Sequence, residues 1–187
     1  MIKLNLNRMI RDFEKKEKIQ GKVLEQKRTL VRYCSKAIKE IHRRKIKEAK
    51  KLIKNVETGL KKMKRYKSEF SSHIEHIEQE YAEAVLLLCV VEDKKCPIPE
   101  TLKVSDISYL NGLLDAVGEL RREMLDLLRD GKYEEAGRFF NAMEALYEAV
   151  ESFQFSGSIL PGFRRKQDVA RRQIEQARSE ILYAKRR

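Results

Sequence analysis

The chain has 187 residues, 37% of them Asp, Glu, Lys or Arg, and a formal net charge of +12. That length suits one domain with a real core. Few glycines, only three prolines and no tryptophan, in a background of Lys, Glu, Leu, Ala, Ile and Arg, point to long helices. No apolar stretch approaches a membrane span or a signal-peptide core, so a soluble, cytoplasmic protein with no membrane partner is expected. Cys34, Cys89 and Cys96 form an odd set without metal-ligand spacing, which fits a reducing compartment.

Apolar residues at helical spacing predict a long first helix from Asn7 to about His42, through Ile10, Phe13, Ile19, Val23, Leu30, Val31, Cys34 and Ile38. At 1.5 Å per residue it would span about 50 Å. A second helix is expected from about Arg43 to Tyr66, either continuous with the first or broken near His42. These 66 residues hold 23 Lys and Arg against 7 Asp and Glu, whereas the rest of the chain is slightly acidic. A basic third of that kind favours a polyanion, most often nucleic acid. His42, Arg43, Arg44 and Lys45 form its densest cluster.

A third helix is expected from about Ser68 to Glu92, with Ile74, Ile77, Tyr81, Ala84, Val85 and Leu88 as its apolar stripe. The linker Glu92–Asp106 contains Pro97 and Pro99, which argue against helix there. Ser105 or Asp106 can cap a helix running from about Ser108 to Arg129. Asp130-Gly131 stops it. Helices from Tyr133 to Phe153 and from about Phe163 to Arg187 complete an all-α bundle of six to seven helices. In the last helix Val169, Ile174, Ala177, Ile181 and Leu182 are expected to face inward. The whole reads as a single helical domain, with basic helices over 1–66, acid-bearing helices over 68–129 and C-terminal helices over 133–187.

Two acidic pairs carry the chemistry. Glu80 and Glu83 lie one turn apart on the third helix, and Asp115 and Glu119 one turn apart on the next long one. Side-by-side packing would gather up to four carboxylates, hard oxygen donors suited to Mg²⁺, with Mn²⁺ as a second choice. Acids on helices are ordinarily solvated surface, and that reading stands beside the first. On a helical wheel Asp115 and Glu119 face away from the apolar stripe of their own helix. His73 and His76 sit near Glu80, but neither has Glu three residues before it, which argues against a di-iron bundle. A ligand or proton-shuttle role for either histidine stays open beside plain surface exposure. Arg164, Arg165 and Lys166, at the start of the last helix, form a second basic cluster suited to phosphate.

The segments QEYAEAV, LKVSDISYLNGLLDAVGELRREM, DGKYEEA and LPGFRRKQDVARRQIEQARSEILYAKRR resemble the translin family. They are closer to its translin-associated factor X branch than to translin itself. The short linker resembles the compact archaeal members. The resemblance implies seven helices assembled into a closed octamer around a cavity, and a metal-dependent endoribonuclease acting on single-stranded RNA. It places the catalytic acids at Glu80, Glu83 and Asp115, with Glu119 as a fourth and the first three as metal ligands. One chain carrying both basic helices and acids suggests a homo-octamer, with a second translin-like subunit as the alternative. The competing functional readings are a non-catalytic binder of single-stranded DNA or RNA, and a helical scaffold or membrane-surface protein using the basic face.

Overall fold

The computed structural model describes residues 6–184. It holds long helices α1 (Asn7–His42), α2 (Ile46–Met63), α3 (Lys67–Val91), α5 (Asp106–Arg129), α6 (Tyr133–Glu151) and α7 (Phe163–Ala184). A four-residue helix, α4 (Pro99–Leu102), lies in the linker. No strand occurs among the described residues.

Helices α1 and α2 form a hairpin. The break falls after His42, where Arg44 takes a left-handed conformation with φ 60°. Its turn is closed by the Arg44 amide on the Ile41 carbonyl and the Lys45 amide on that of Glu40, both at 2.9 Å. Helix α1 begins at Asn7, as its period predicts. Met9, Ile10 and Phe13 are 52%, 53% and 64% exposed, and the first buried residue is Val23. Helix α1 is long enough to overhang the bundle, so a helical pattern there marks a face with no covering partner among the described residues. From Val23 on, Leu30, Cys34, Ala37, Ile38 and Ile41 pack inward.

A 3₁₀ turn (Lys64–Tyr66) joins α2 to α3, and Phe70 interrupts α3 with φ −133° and ψ 40°. The buried Glu78 anchors this kink. It accepts from Lys67 Nζ at 2.9 Å and from the Ser105 backbone amide at 3.0 Å, so its charge is compensated. The Ser108 hydroxyl donates to the Glu75 carbonyl at 3.0 Å, stitching the start of α5 to α3. Ser105 caps α5, which begins at Asp106, two residues earlier than expected. Helix α4 corrects the reading of the linker. Pro99 stands in its first turn, where the missing N–H is not needed and the fixed φ suits helix.

The described core has two parts. One gathers Val23, Leu30, Cys34, Val56, Leu60, Met63, Ile74, Ile77 and Tyr81 from α1, α2 and the first half of α3. The other joins the second half of α3 and the end of α1 to α5, α6 and α7, around residues such as Leu86, Leu120, Met124, Phe139 and Phe163. Full burial of each such large side chain stabilises by about 2 kcal/mol relative to exposure. Helix α5 is central, packing on α3, α6 and α7. It is therefore buried on more than its apolar stripe, with Ser108, Asn111, Gly112 and Ala116 also inside. Gly131, with φ 74°, ends the turn after α5 as the Asp-Gly pair foretold.

Candidate carboxylate site

The close approach of α3 and α5 is set at Gly112. A Cβ there would lie 2.5 Å from the Gln79 carbonyl oxygen and 3.0 Å from the Glu83 amide nitrogen. Hydrogen in place of a side chain lets α5 rest on the backbone of α3 between those residues. One turn further on, Asp115 arrives beside Glu80 and Glu83. Gln79 Nε2 donates to Asp115 Oδ2 at 2.8 Å and fixes that carboxylate.

Helix α7 closes the third side. The result is a cleft of about 630 Å³ whose lining includes Gln79, Glu80, Glu83, Asp115, Arg165 and Lys166. Asp115 thus faces a cleft inside its own chain, although it points away from the stripe of its own helix. The expectation for two residues of α7 is corrected. Val169 is 46% exposed and lines this mouth, and Leu182 is 57% exposed. An apolar side chain at the edge of a polar cleft reads like core in the sequence.

Three carboxylates here outnumber the cation that pairs with them. Lys166 Nζ donates to both oxygens of Asp115. Burial, then repulsion from Asp115 and Glu80, pushes the Glu83 carboxyl up to about 8. Burial and Asp115 raise Glu80 as well, against the pull of Lys166 and Lys27. His76 Nδ1 stands 3.9 Å from Glu80 Oε1. Burial, with Lys27 and Lys166 nearby, holds that imidazole below its usual range.

Among the described residues no group of three or more His, Cys, Asp or Glu side chains is gathered closely enough to ligate a metal ion as it stands. The donor set nevertheless suits a hard divalent cation. It offers carboxylate oxygens from two helices, crowded enough that their repulsion is relieved either by protons or by added positive charge.

Glu119, expected as a fourth member, is absent from the cleft lining. Its Oε2 accepts from His42 Nε2 at 2.5 Å, and His42 Nδ1 donates to Glu123 Oε1 at 2.6 Å. Arg44 Nη2 reaches the other Glu123 oxygen at 2.7 Å. Burial alone would lower the imidazolium, but these two carboxylates outweigh it and push His42 up to about 9. The His42 side chain is only 6% exposed, so its expected place on a nucleic-acid surface is corrected. It ties the end of α1 to α5 instead. Arg43 is exposed beside Glu40, and Lys45 is exposed. Arg164 and Arg165 are exposed at the start of α7, whereas Lys166 is turned inward.

Gln79 and Gly112 escaped the sequence reading. Two glycines inside one helix, Gly112 and Gly118, were the available signal of close backbone approach.

No family model matches the chain. An uncharacterized protein of Methanocaldococcus jannaschii is 30% identical over 181 residues, spanning 95% of this chain and 81% of that protein. The crystal structure of AfC3PO is 31% identical, with a TM-score of 0.88 over 97% of both chains. AfC3PO in complex with duplex RNA gives 30% identity and a TM-score of 0.87 over the same shares. Apo-NeC3PO, at 23% identity and a TM-score of 0.86, shares the fold over 98% of this chain and 99% of that one. The architecture is therefore that of a C3PO subunit along nearly its whole length. The chain belongs to the translin/C3PO family.

No described helix is long and apolar enough to cross a membrane.

Proposed function

We propose that this chain is a metal-dependent endoribonuclease that binds single-stranded RNA and hydrolyses its phosphodiester bonds at the cleft of Glu80, Glu83 and Asp115. It works inside a closed homo-oligomer, with an octamer as the expected assembly, and belongs to the factor X type that keeps the acids. The observation that carries this reading is the cleft itself. Three carboxylates from two helices share one concave site with Lys166 and Arg165, in a chain of the C3PO family. Mg²⁺ or Mn²⁺ held by Glu80, Glu83 and Asp115 would polarise the phosphate and supply hydroxide at neutral pH.

The chain's own residues supply the rest. Gln79 holds Asp115 in place, and Gly112 sets the spacing of the two acid-bearing helices. Arg165 stands exposed at the mouth, where a guanidinium takes phosphate oxygens in pairs. The lysines and arginines of α1 and α2, with Arg43, Lys45 and Arg164, draw the strand in through its backbone, so binding is salt-sensitive and weakly sequence-selective. Glu119 supports the site from outside the cleft by ordering the α1–α5 junction through His42.

A second reading, a binder of single-stranded RNA or DNA without cleavage, is favoured by one observation: Asp115 is already neutralised by Lys166. Because AfC3PO is known in complex with duplex RNA, the test uses both strand states. End-labelled single-stranded and duplex RNA are incubated with the protein in Mg²⁺ or EDTA, beside Glu80→Ala/Glu83→Ala. Cutting of the single strand that needs both metal and glutamates is the expected result. Binding without cutting in every tube selects the second reading.

A further inference from the structure

Within that carboxylate cleft, and resting on the reading of it as a metal site, one side chain has a role not yet assigned. Lys166 belongs by sequence to a basic cluster, yet its neighbours in that cluster are exposed while it turns inward and holds both oxygens of Asp115. We propose that Lys166 is an exchangeable counter-ion. Its ammonium competes with the divalent cation for Asp115 and, once displaced, becomes a phosphate contact at the mouth of the cleft.

Several features support exchange rather than a fixed structural pair. The pair is half-buried, with side-chain exposures of 30% for Lys166 and 28% for Asp115, so water reaches both partners. The cleft beside it has room, about 630 Å³, for the chain to swing. Lysine is a compact point charge on four rotatable bonds, and it moves between partners more readily than a planar guanidinium. Lys166 also lies in the first turn of α7, four residues after Gly162, whose φ of 73° turns the chain into the helix. The mouth is shared with Arg165, so a released ammonium joins a cation already facing outward. Asp115 keeps its orientation through the change, because Gln79 Nε2 holds Oδ2 independently.

The test is Mn²⁺ binding by isothermal titration and electron paramagnetic resonance, on wild type, Lys166→Gln and Arg165→Gln, without RNA. Both variants delete one positive charge from the same mouth. Arg165 makes no ion pair among the described residues, so it controls for general electrostatics. Removing a competing ammonium should tighten Mn²⁺ binding roughly tenfold in Lys166→Gln, against no more than about twofold in Arg165→Gln. Unchanged or weaker binding in Lys166→Gln, with wild type still binding, overturns the exchange while leaving the metal site standing. Equal tightening in both variants also overturns it, because charge alone then explains the gain. Absence of Mn²⁺ binding in all three proteins overturns the metal reading itself. Circular dichroism melts of the two variants in EDTA confirm that the fold is kept.

Discussion

Gly112→Ala adds one methyl group at the tightest point between α3 and α5. The new carbon would lie 2.5 Å from the Gln79 carbonyl oxygen and 3.0 Å from both the Glu83 nitrogen and the Ala82 Cβ. An unstrained carbon–oxygen contact is about 3.4 Å, and helix backbone cannot rotate aside as a side chain can, so the helices must separate by most of an ångström. Overpacking of this kind costs ~2–3 kcal/mol. Replacing glycine in a helix returns ~1 kcal/mol of propensity, leaving a net loss of ~1–2 kcal/mol. For a chain of this size that lowers Tm by roughly 2–8 °C. Gly21→Ala and Gly137→Ala are the controls, since nothing lies within 4 Å of a Cβ at either position. They should raise Tm by about 2–4 °C through propensity alone. The assay is thermal unfolding by circular dichroism, with Mn²⁺ affinity measured on the same samples. Gly112→Ala should also weaken Mn²⁺ binding, because Asp115 moves away from Glu80 and Glu83. A Gly112→Ala protein that melts at or above wild type and binds Mn²⁺ unchanged would refute the claim that this contact sets the site.

Glu83→Gln tests the crowding of charge. A carboxyl raised to about 8 contributes stability that is fully present below its unfolded value near 4.5 and lost as pH rises through 8. In EDTA, therefore, the variant should melt above wild type at pH 9, with the gap narrowing as pH falls below 8 and closing only near 4.5. His42→Ala leaves Glu119 and Glu123 without their shared cation and should cost ~3 kcal/mol, read as a denaturation midpoint. That penalty should be greatest below pH 6.5 and shrink as pH rises through about 9, where wild-type His42 itself loses its proton. Arg164→Gln/Arg165→Gln should weaken RNA binding uniformly across sequences and flatten the dependence of affinity on salt; an unchanged salt slope would remove this cluster from the RNA path.

The helices were legible because each has a strong period, and the acids because Glu80 and Glu83, and Asp115 and Glu119, keep helical spacing. What the sequence could not supply were the partners of charged groups. Lys166 and Arg165 are neighbours of the same sign, and nothing local tells that one turns in to Asp115 while the other turns out. His42 looks like part of a basic cluster until α5 brings Glu119 and Glu123 to it from about eighty residues away. Glu119 likewise shares a helix face with Asp115, yet the end of α1 takes it before the cleft does. Periodicity marked the helix at Ile10 and Phe13 but not its surroundings, because a pattern shows that a face is apolar and not whether this chain covers it. The break after His42 rests on a left-handed Arg44, a conformation that arginine does not advertise.

Helix α3 contributes side chains to both parts of the core, with Ile74 and Ile77 on one side and Leu86 and Leu87 on the other. Neither half can come apart without stripping that shared helix, so the chain should melt in a single cooperative step. The backbone amides between Ile74 and Leu88 should accordingly exchange with deuterium last, only on global opening, while those of the overhanging start of α1 exchange first. Glu80 and Glu83 would thus be mounted on the slowest-opening segment of the molecule, with Asp115 brought to them by α5.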